Sequence, residues 1–471
     1  MEFVWLAAMI LAFLLKPKIQ PMSKPVFTYS EDQLKQITQD MLRFAKTRGA
    51  SDAAVEVSEG GGLSIGVRKG KVETIEQNRD KGVGVTVYIG SRRGNASTSD
   101  FSQKSLQDTV DAAYNIARFT AEDDCAGLPD ADMLETAPRD LKLFHPWLIS
   151  AEEAIALAQR TEAAAYAVDK RISNCEGAGV YVQQSHFMSA NSRGFLGGYP
   201  FSRHTISVAP IAGKGARMQR DDWYSSQRDP KKLATPESVG HYAAERALAR
   251  LNARPIDTRK CPVLFEAPLA AGLLGAFVQA VSGGALYRRS SFLLDSLGQQ
   301  IFPKHIQITE DPHVIGGVGS SPFDDEGVRT QQREVVSDGV LNGYFLSSYS
   351  ARKLGMQTTG NAGGSHNLSM TSSLCKRGDH FVQMLKKMGT GLLVTELMGQ
   401  GVNYVTGDYS RGASGYWVEN GVIQFPVEEI TIAGNMREMF QQIVAIGADT
   451  LARGTKTTGS ILIENMTIAG S

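Results

Sequence analysis

The sequence predicts an α+β protein, and three observations carry that prediction. In the first half, helices announced by their own N-caps alternate with short strands. Tight-turn dipeptides join strands that are adjacent in the chain, which implies antiparallel pairing. The second half reads mostly as strands, interrupted by a few helices. Its 471 residues suggest two domains, and 42% hydrophobic against 21% charged residues is enough for substantial cores.

The first helix opens at Ser30 with Gln33 three residues on, a capping box, and Leu34, Ile37, Met41 and Phe44 share one face. It should stop near Gly49. Strands are expected at Ala54–Val57, Leu63–Val67 and Val72–Ile75, the last two joined by a hairpin turn at Arg68-Lys69-Gly70-Lys71. Gly82–Ile89 and Ala96–Ser99 continue the pattern. A second helix is expected over Leu106–Phe119. A third follows the capping box Ser150/Glu153 and runs Ala154–Val168. Strand-like segments lie at Gly179–Gln184, Phe187–Ala190 and Thr205–Ala209. Thr235 caps a fourth helix with Pro236 at its first position. The polar string Asn252–Arg259 reads as a hinge.

The second half opens with a strand at Cys261–Phe265, a helix at Leu269–Val281 and the pair Gly283-Gly284. Asp338-Gly339 and Asn420-Gly421 mark two-residue hairpin turns. Helices are expected over Asp379–Met388 and Asn435–Ile446, the latter with Asn435/Glu438 as a capping box. A strand at Ser460–Ile463 closes the chain. No internal repeat of fixed period is present.

Composition excludes some functions. Lys+Arg and Asp+Glu are 49 each. That balance argues against nucleic-acid binding, which draws on clustered positive charge. The pairs Arg92-Arg93 and Lys231-Lys232 read as solvated surface. Four separated cysteines without C-x-x-C spacing point to free thiols in a reducing compartment. Phe3–Leu15 is an apolar run too short to span a membrane and without the flanks of a secretory signal. Residues 1–24 are therefore read as an apolar extension, a weak anchor or a start-site artefact, with Met22 as the start and residues 1–21 loosely attached.

A search for chemistry finds little. None of His145, His186, His204, His241, His305, His313, His366 and His380 has the ligand spacing of a zinc helix. Gly363-Gly364-Ser365-His366 reads as a glycine turn rather than part of a triad. No phosphate loop is found. Asp324-Asp325-Glu326-Gly327 lacks calcium-loop spacing and reads as a solvated turn.

Several strings nevertheless converge on one family. They include Tyr287-Arg288-Arg289-Ser290-Ser291-Phe292-Leu293, Phe323 to Thr330 (FDDEGVRT) and Tyr349 to Gly355 (YSARKLG). Val394 to Val402 (VTELMGQGV), Gly407 to Ala413 (GDYSRGA), Trp417 to Gly421 and Ile430 to Asn435 belong with them. From about residue 25 to the end the chain resembles the TldE/PmbA branch of the TldD/PmbA peptidase family. The resemblance implies an N-terminal α+β domain with an antiparallel sheet and packed helices (25–252). It implies a C-terminal β-rich, barrel-like domain with a few helices (260–471). It also implies a cytoplasmic metalloprotease acting on unfolded peptides, associated with peptide-antibiotic maturation and antitoxin degradation. The zinc is expected in a TldD-like partner, whose H-E-x-x-x-H lies on the helix after the strand matching Val263–Phe265 and whose C-terminal cysteine completes the site. Here that helix reads Leu273 to Val281 (LLGAFVQAV) and Thr455–Ser460 holds no cysteine. The chain is thus expected to carry no catalytic or metal residue and no cofactor, and to be the non-catalytic half. Arg288, Arg289, Tyr409 and Arg411 are its substrate-cleft candidates. Expected partners are the TldD-like subunit and unfolded peptides, with a homodimer as the alternative for the isolated chain; nucleic acid and membrane are not expected. Two other readings stand beside this one: an autonomous metallopeptidase using residues such as His305, Asp311 and His313, and a DNA-gyrase modulator.

Overall fold

The computed structural model describes residues 27–470. The expectation for residues 1–24 lies outside the described residues. The first eight strands are β1 (Asp52–Arg68), β2 (Lys71–Ile89), β3 (Arg92–Thr98), β4 (Ile172–Asn191), β5 (Leu196–Gly197), β6 (Pro200–Ala212), β7 (Gln219–Arg220) and β8 (Trp223–Gln227). They form one sheet in the order β3-β2-β1-β4-β6-β7, with β5 on β4 and β8 on β6, antiparallel throughout. Four helices pack on it: α1 (Glu31–Thr47), α2 (Gln103–Phe119), α3 (Ala151–Val168) and α4 (Pro236–Ala249). Two of the three expected capping boxes lie in this half and both are present, Ser30 with Gln33 and Ser150 with Glu153.

The period of two decides which face the helices cover. Val55 and Val57 join a core with α1 and α2, while Leu63, Ile65 and Val67 join another with α3 and α4. All five are odd-numbered, so the four helices share one face of β1. The even-numbered face, carrying Ala54, Glu56, Ser58 and Gly60, is left for the C-terminal half.

The strands are longer than the sequence suggested. Gly60-Gly61-Gly62 and the polar run Glu76–Lys81 read as interruptions, yet β1 and β2 pair through both. Glycine is needed there because a Cβ at Gly62 would fall on the Val182 carbonyl of the neighbouring β4. The expected turn is in place: Lys69 and Gly70 have φ of 51° and 70°, the left-handed pair that a two-residue hairpin requires. Glu162 of α3, only 2% exposed, accepts both turn N–H groups at 2.7 Å. Glu162→Ala should therefore lower stability by about 2–3 kcal/mol, since it strands two donors of charge-assisted bonds. A urea-midpoint change below a quarter of that would show that the latch is unimportant.

The C-terminal half contains β9 (Arg259–Phe265), β10 (Ile306–Asp311), β11 (Arg333–Ser337), β12 (Val340–Leu341), β13 (Asn367–Ser372) and β14 (Gly391–Met398). It continues with β15 (Asp408–Glu419), β16 (Val422–Asn435), β17 (Ile443–Ile446), β18 (Leu451–Arg453), β19 (Lys456–Thr458) and β20 (Ile461–Ala469). Strands β16-β15-β14-β9-β20 close into a barrel through the β16–β20 pairing, with β17 beside β20. A second sheet runs β12-β11-β10-β13-β19-β18. Helices α5 (Ala267–Ala280), α6 (Gly283–Tyr287), α7 (Ser348–Lys353), α8 (Phe381–Met388) and α9 (Met436–Gln441) complete it. α5 leaves β9 directly and packs between the two sheets against β14, β18 and β19. Phe265, Phe277, Phe302 and Phe440 are fully buried in the shared core.

One expectation fails here. The helix expected over Asn435–Ile446 ends at Gln441, because the β-branched Ile443–Ile446 segment pairs with β20 instead. Asn435 does cap it, accepting from Arg437 N, but without Glu438 completing a box. Within the connecting string Asn252–Arg259, Arg254 stacks on Phe425 at 3.7 Å and Ile256 is buried in the barrel-side core.

Candidate functional site

α5 begins at the end of β9, and its N-cap is Glu266. Arg246 of α4 holds Glu266 with two bonds of 2.9 and 3.0 Å, and reaches Asp221 at 3.1 Å. Arg250 pairs with Glu396 of β14. Burial raises the Glu266 carboxyl, and the Arg246 fork opposes that. Burial likewise acts to lower Arg246, but Glu266 and Asp221 hold it above its ordinary value. This network welds α4 to the start of α5. Along α5 itself the side chains are alanine, leucine, phenylalanine, valine, glycine, one proline and one glutamine. Gly272 faces open space, and a Cβ on Gly275 would meet only the Lys456 side chain. None of these groups binds zinc or activates water, so the residues present do not fit a zinc ion there. Among the described residues no group of three or more His, Cys, Asp or Glu side chains could hold a metal ion.

The histidines are engaged elsewhere. His305 Nε2 donates to the Ile443 carbonyl at 3.0 Å, which leaves Nδ1 to accept from the Ser372 hydroxyl at 2.8 Å. His313 Nε2 lies 3.2 Å from Thr330 Oγ1, while Asp311 accepts from the His313 N–H. The glycine turn at 363–364 delivers His366 to a buried carboxylate: Glu310 Oε1 receives His366 N, His366 Nδ1 and Asn361 Nδ2. Arg333 Nε donates to Glu310 Oε2 at 2.7 Å. Burial would raise Glu310, but His366 and Arg333 bring it down to about 2. A carboxyl depressed on folding stabilises above its unfolded value and loses that contribution as pH falls through the folded one. Glu310 should thus contribute about 3 kcal/mol at neutral pH, lost between roughly pH 5 and pH 2. Glu310→Gln should flatten the stability–pH curve in that window, and an unchanged slope would contradict the assignment.

The two halves enclose a cleft. Across it, Asp123 receives Tyr349 Oη at 2.7 Å and Lys353 Nζ at 2.8 Å, and is held near 2 first by Lys353 and then by Tyr349. Arg352 donates to the carbonyls of Cys125, Gly127 and Leu128. Arg228 donates to the Gly317 and Val318 carbonyls, and Tyr199 lies 2.9 Å from the Ser321 hydroxyl. Between these ties lies a cavity of about 1020 Å³ bounded by Ala54, Tyr88, Arg93, the 120–129 loop, Asp325 and Glu326. A smaller one of about 360 Å³ lies over Glu56, Ser58 and Ser189, and a third of about 470 Å³ over Gly60, Arg203 and Arg228.

The sequence reading of the acidic turn needs correction. Asp324 is buried at 4% exposure and accepts from Glu326, Val328 and Ala362 N–H groups. Burial, then Glu326, pushes its carboxyl up to about 7. Asp325 and Glu326 line the largest cavity of the cleft, and Asp324 reaches only the edge of the smallest one. None of the four substrate-cleft candidates, Arg288, Arg289, Tyr409 and Arg411, lines these three cavities. Arg288 and Arg289 are exposed just after α6, Arg288 donating to Tyr287 Oη at 3.1 Å. Tyr409 is 3% exposed in the main core, where burial pushes its phenol up to about 12. The Tyr409 hydroxyl and Arg411 Nε have no hydrogen-bond partner among the described residues. Phe292, just after Arg288 and Arg289, donates its N–H to the Tyr404 carbonyl at 2.7 Å.

Comparisons with known proteins agree with this architecture. Three family models match: PmbA/TldA metallopeptidase domain 1 at residues 53–117, the central domain at 144–251 and the C-terminal domain at 258–470. The chain is 49% identical over 423 residues to Metalloprotease PmbA of Escherichia coli O157:H7, covering 90% of this chain and 93% of that one. A Haemophilus influenzae PmbA homolog is 44% identical over 441 residues, covering 94% and 97%. A TldD homolog from that organism is 25% identical, covering 77% and 78%. Among solved structures, a Bacteroides thetaiotaomicron protein named as a modulator of DNA gyrase superposes with TM-score 0.88 at 26% identity, covering 94% of this chain and all of that one. TldE of Thermococcus kodakarensis shares the fold at TM-score 0.80 and 19% identity, covering 92% and 100%.

Proposed function

Because the chain belongs to the PmbA/TldD family of metallopeptidases, we propose that it is the non-catalytic half of a TldD/TldE-type protease that cleaves unfolded peptides. The observation that carries the reading is α5. The family resemblance implies two histidines and a glutamate on the helix after this strand in the zinc-bearing branch, and here that helix supplies only small and apolar groups and one amide. Its N-terminus is instead locked by Arg246 and Glu266, a structural use of the same corner. The likeness to a TldD homolog supports a second, zinc-loaded subunit of similar architecture. In that assembly this chain completes the walls around the peptide and restricts water at the partner's metal. Arg288, Arg289, Tyr409 and Arg411 enter as substrate-cleft candidates, tested by alanine replacement in the assembled protease. The site of action is the cytoplasm; among the described residues no helix is long and apolar enough to cross a membrane.

The test is co-purification with a TldD-type subunit, followed by cleavage of an unfolded peptide by each subunit and by the pair. The expected result is a stable complex, with cleavage by the pair and none by this chain alone. Cleavage by the pure chain would remove the reading. Autonomous metal chemistry is disfavoured by the engaged histidines, and direct DNA binding by the balanced charge.

A further inference from the structure

The three cavities between the halves share walls. The smallest has Ser189 and Asp325 in common with the largest, and Ser58, Ser185 and Phe201 in common with the third. They therefore run end to end along β1, on the face the helices leave uncovered. From Ala54 to Gly61 that path is about 24 Å at roughly 3.4 Å per residue, the length of about seven residues of extended peptide. Much of its floor is small groups, Ala54, Ser58, Gly60, Ser185 and Ser189, with Glu56 and Phe187 between them.

The two ends carry opposite charge. At the Ala54 end, Glu56, Asp325 and Glu326 face the space, and none of them has an ion-pair partner among the described residues. Burial and then Asp325 raise the Glu56 carboxyl; burial and then Glu326 raise that of Asp325. Arg93 and Lys353 line the same cavity, Lys353 already paired with Asp123, and with Glu122, Asp123 and Asp124 also on its wall the acids outnumber the cations at this end. At the Gly61 end, Arg203 and Arg228 line the space half-buried, again without a carboxylate partner among the described residues. Arg203 donates to the Ser226 hydroxyl and Arg228 to backbone carbonyls, so both positive charges stay uncompensated. Nearby Asp80 is at the outer wall of the same space.

We propose that the three cavities form one groove that binds a short unfolded peptide in extended form, parallel to β1, with its N-terminal amine among Glu56, Asp325 and Glu326 and its C-terminal carboxylate between Arg203 and Arg228. The proposal rests on the reading of this chain as part of a peptidase for unfolded peptides. It deepens that reading by giving the chain a peptide site of its own, with a direction. A free amine and a free carboxylate are what such ends recognise, whereas an internal stretch of a long chain offers neither. The groove thus selects short fragments with two free termini.

The test uses the full chain alone, with no partner and no metal, so its outcome is separate from whether the assembled protease cleaves. An unstructured heptapeptide with an internal fluorophore is titrated in four forms: free, C-terminally amidated, N-terminally acetylated, and both. Amidation and acetylation should each weaken binding at least about tenfold. In the Arg203→Gln/Arg228→Gln variant amidation should cost nothing further, and in Glu56→Gln/Asp325→Asn acetylation should cost nothing further, the signature of direct pairing. Arg228 also holds the Gly317 and Val318 carbonyls, so its variant can lose its fold; the end-group comparison on the unaltered chain needs no substitution. Equal affinity for all four forms, or no binding of any form by the folded chain, overturns the proposal.

Discussion

Arg246→Met should lower the stability of this protein by about 3–5 kcal/mol, because it leaves two carboxylates in a poorly solvated corner with less compensation. Asp221 and Glu266 are each 11% exposed at the side chain, and Arg246 bonds both. Arg250 stays within 3.7 Å of Asp221, so Glu266 bears most of the loss. The guanidinium also packs over Trp223 and Tyr242, so the substitution removes aromatic contacts as well. The physical cause is desolvation rather than charge count, and that gives a control. Arg246→Met with Glu266→Gln should recover part of the loss, since a neutral amide at the N-cap of α5 costs far less to bury than an orphaned carboxylate. The check is the urea midpoint at constant slope. A loss under about 1 kcal/mol, or a double variant no better than the single one, would mean that water reaches this corner.

The second large effect concerns metal. If the partner alone carries zinc, the order of chelation decides activity. Stripping the TldD-type subunit with a chelator before assembly should lower peptide cleavage at least about a thousandfold, because the activated water goes with the metal. Stripping this chain before assembly, then removing the chelator, should leave the rate of the complex unchanged. A comparable loss on stripping this chain would place a required ion within it.

Local signals carried most of the helices. Ser30/Gln33 and Ser150/Glu153 place α1 and α3, because a capping box is settled by neighbours within one turn. The turns at Lys69-Gly70, Asp338-Gly339 and Asn420-Gly421 were legible for the same reason, each needing two consecutive positive φ angles. What was not legible depends on distant partners. β1 reads as two pieces because its glycines look like breaks until β4 lies against them. Ile443–Ile446 reads as a continued helix until β20 offers a strand to pair with. Asp324 reads as a solvated turn residue, and only the fold brings the Ala362 N–H to it. The cleft is the extreme case: Glu56, Ser189, Phe201 and Asp325 lie far apart in sequence and share a wall only after both halves have folded. The absence of ligands on α5, by contrast, was plain from the residues.

The most direct measurement is the metal content of this chain, purified without its partner and equilibrated with excess zinc before gel filtration. An α5 built from alkyl, phenyl and amide groups predicts less than about 0.1 zinc per chain by mass spectrometry, since tight binding takes three or four thiolate, imidazole or carboxylate donors. A stoichiometric ion, retained through the column and removed only by chelation, would contradict it.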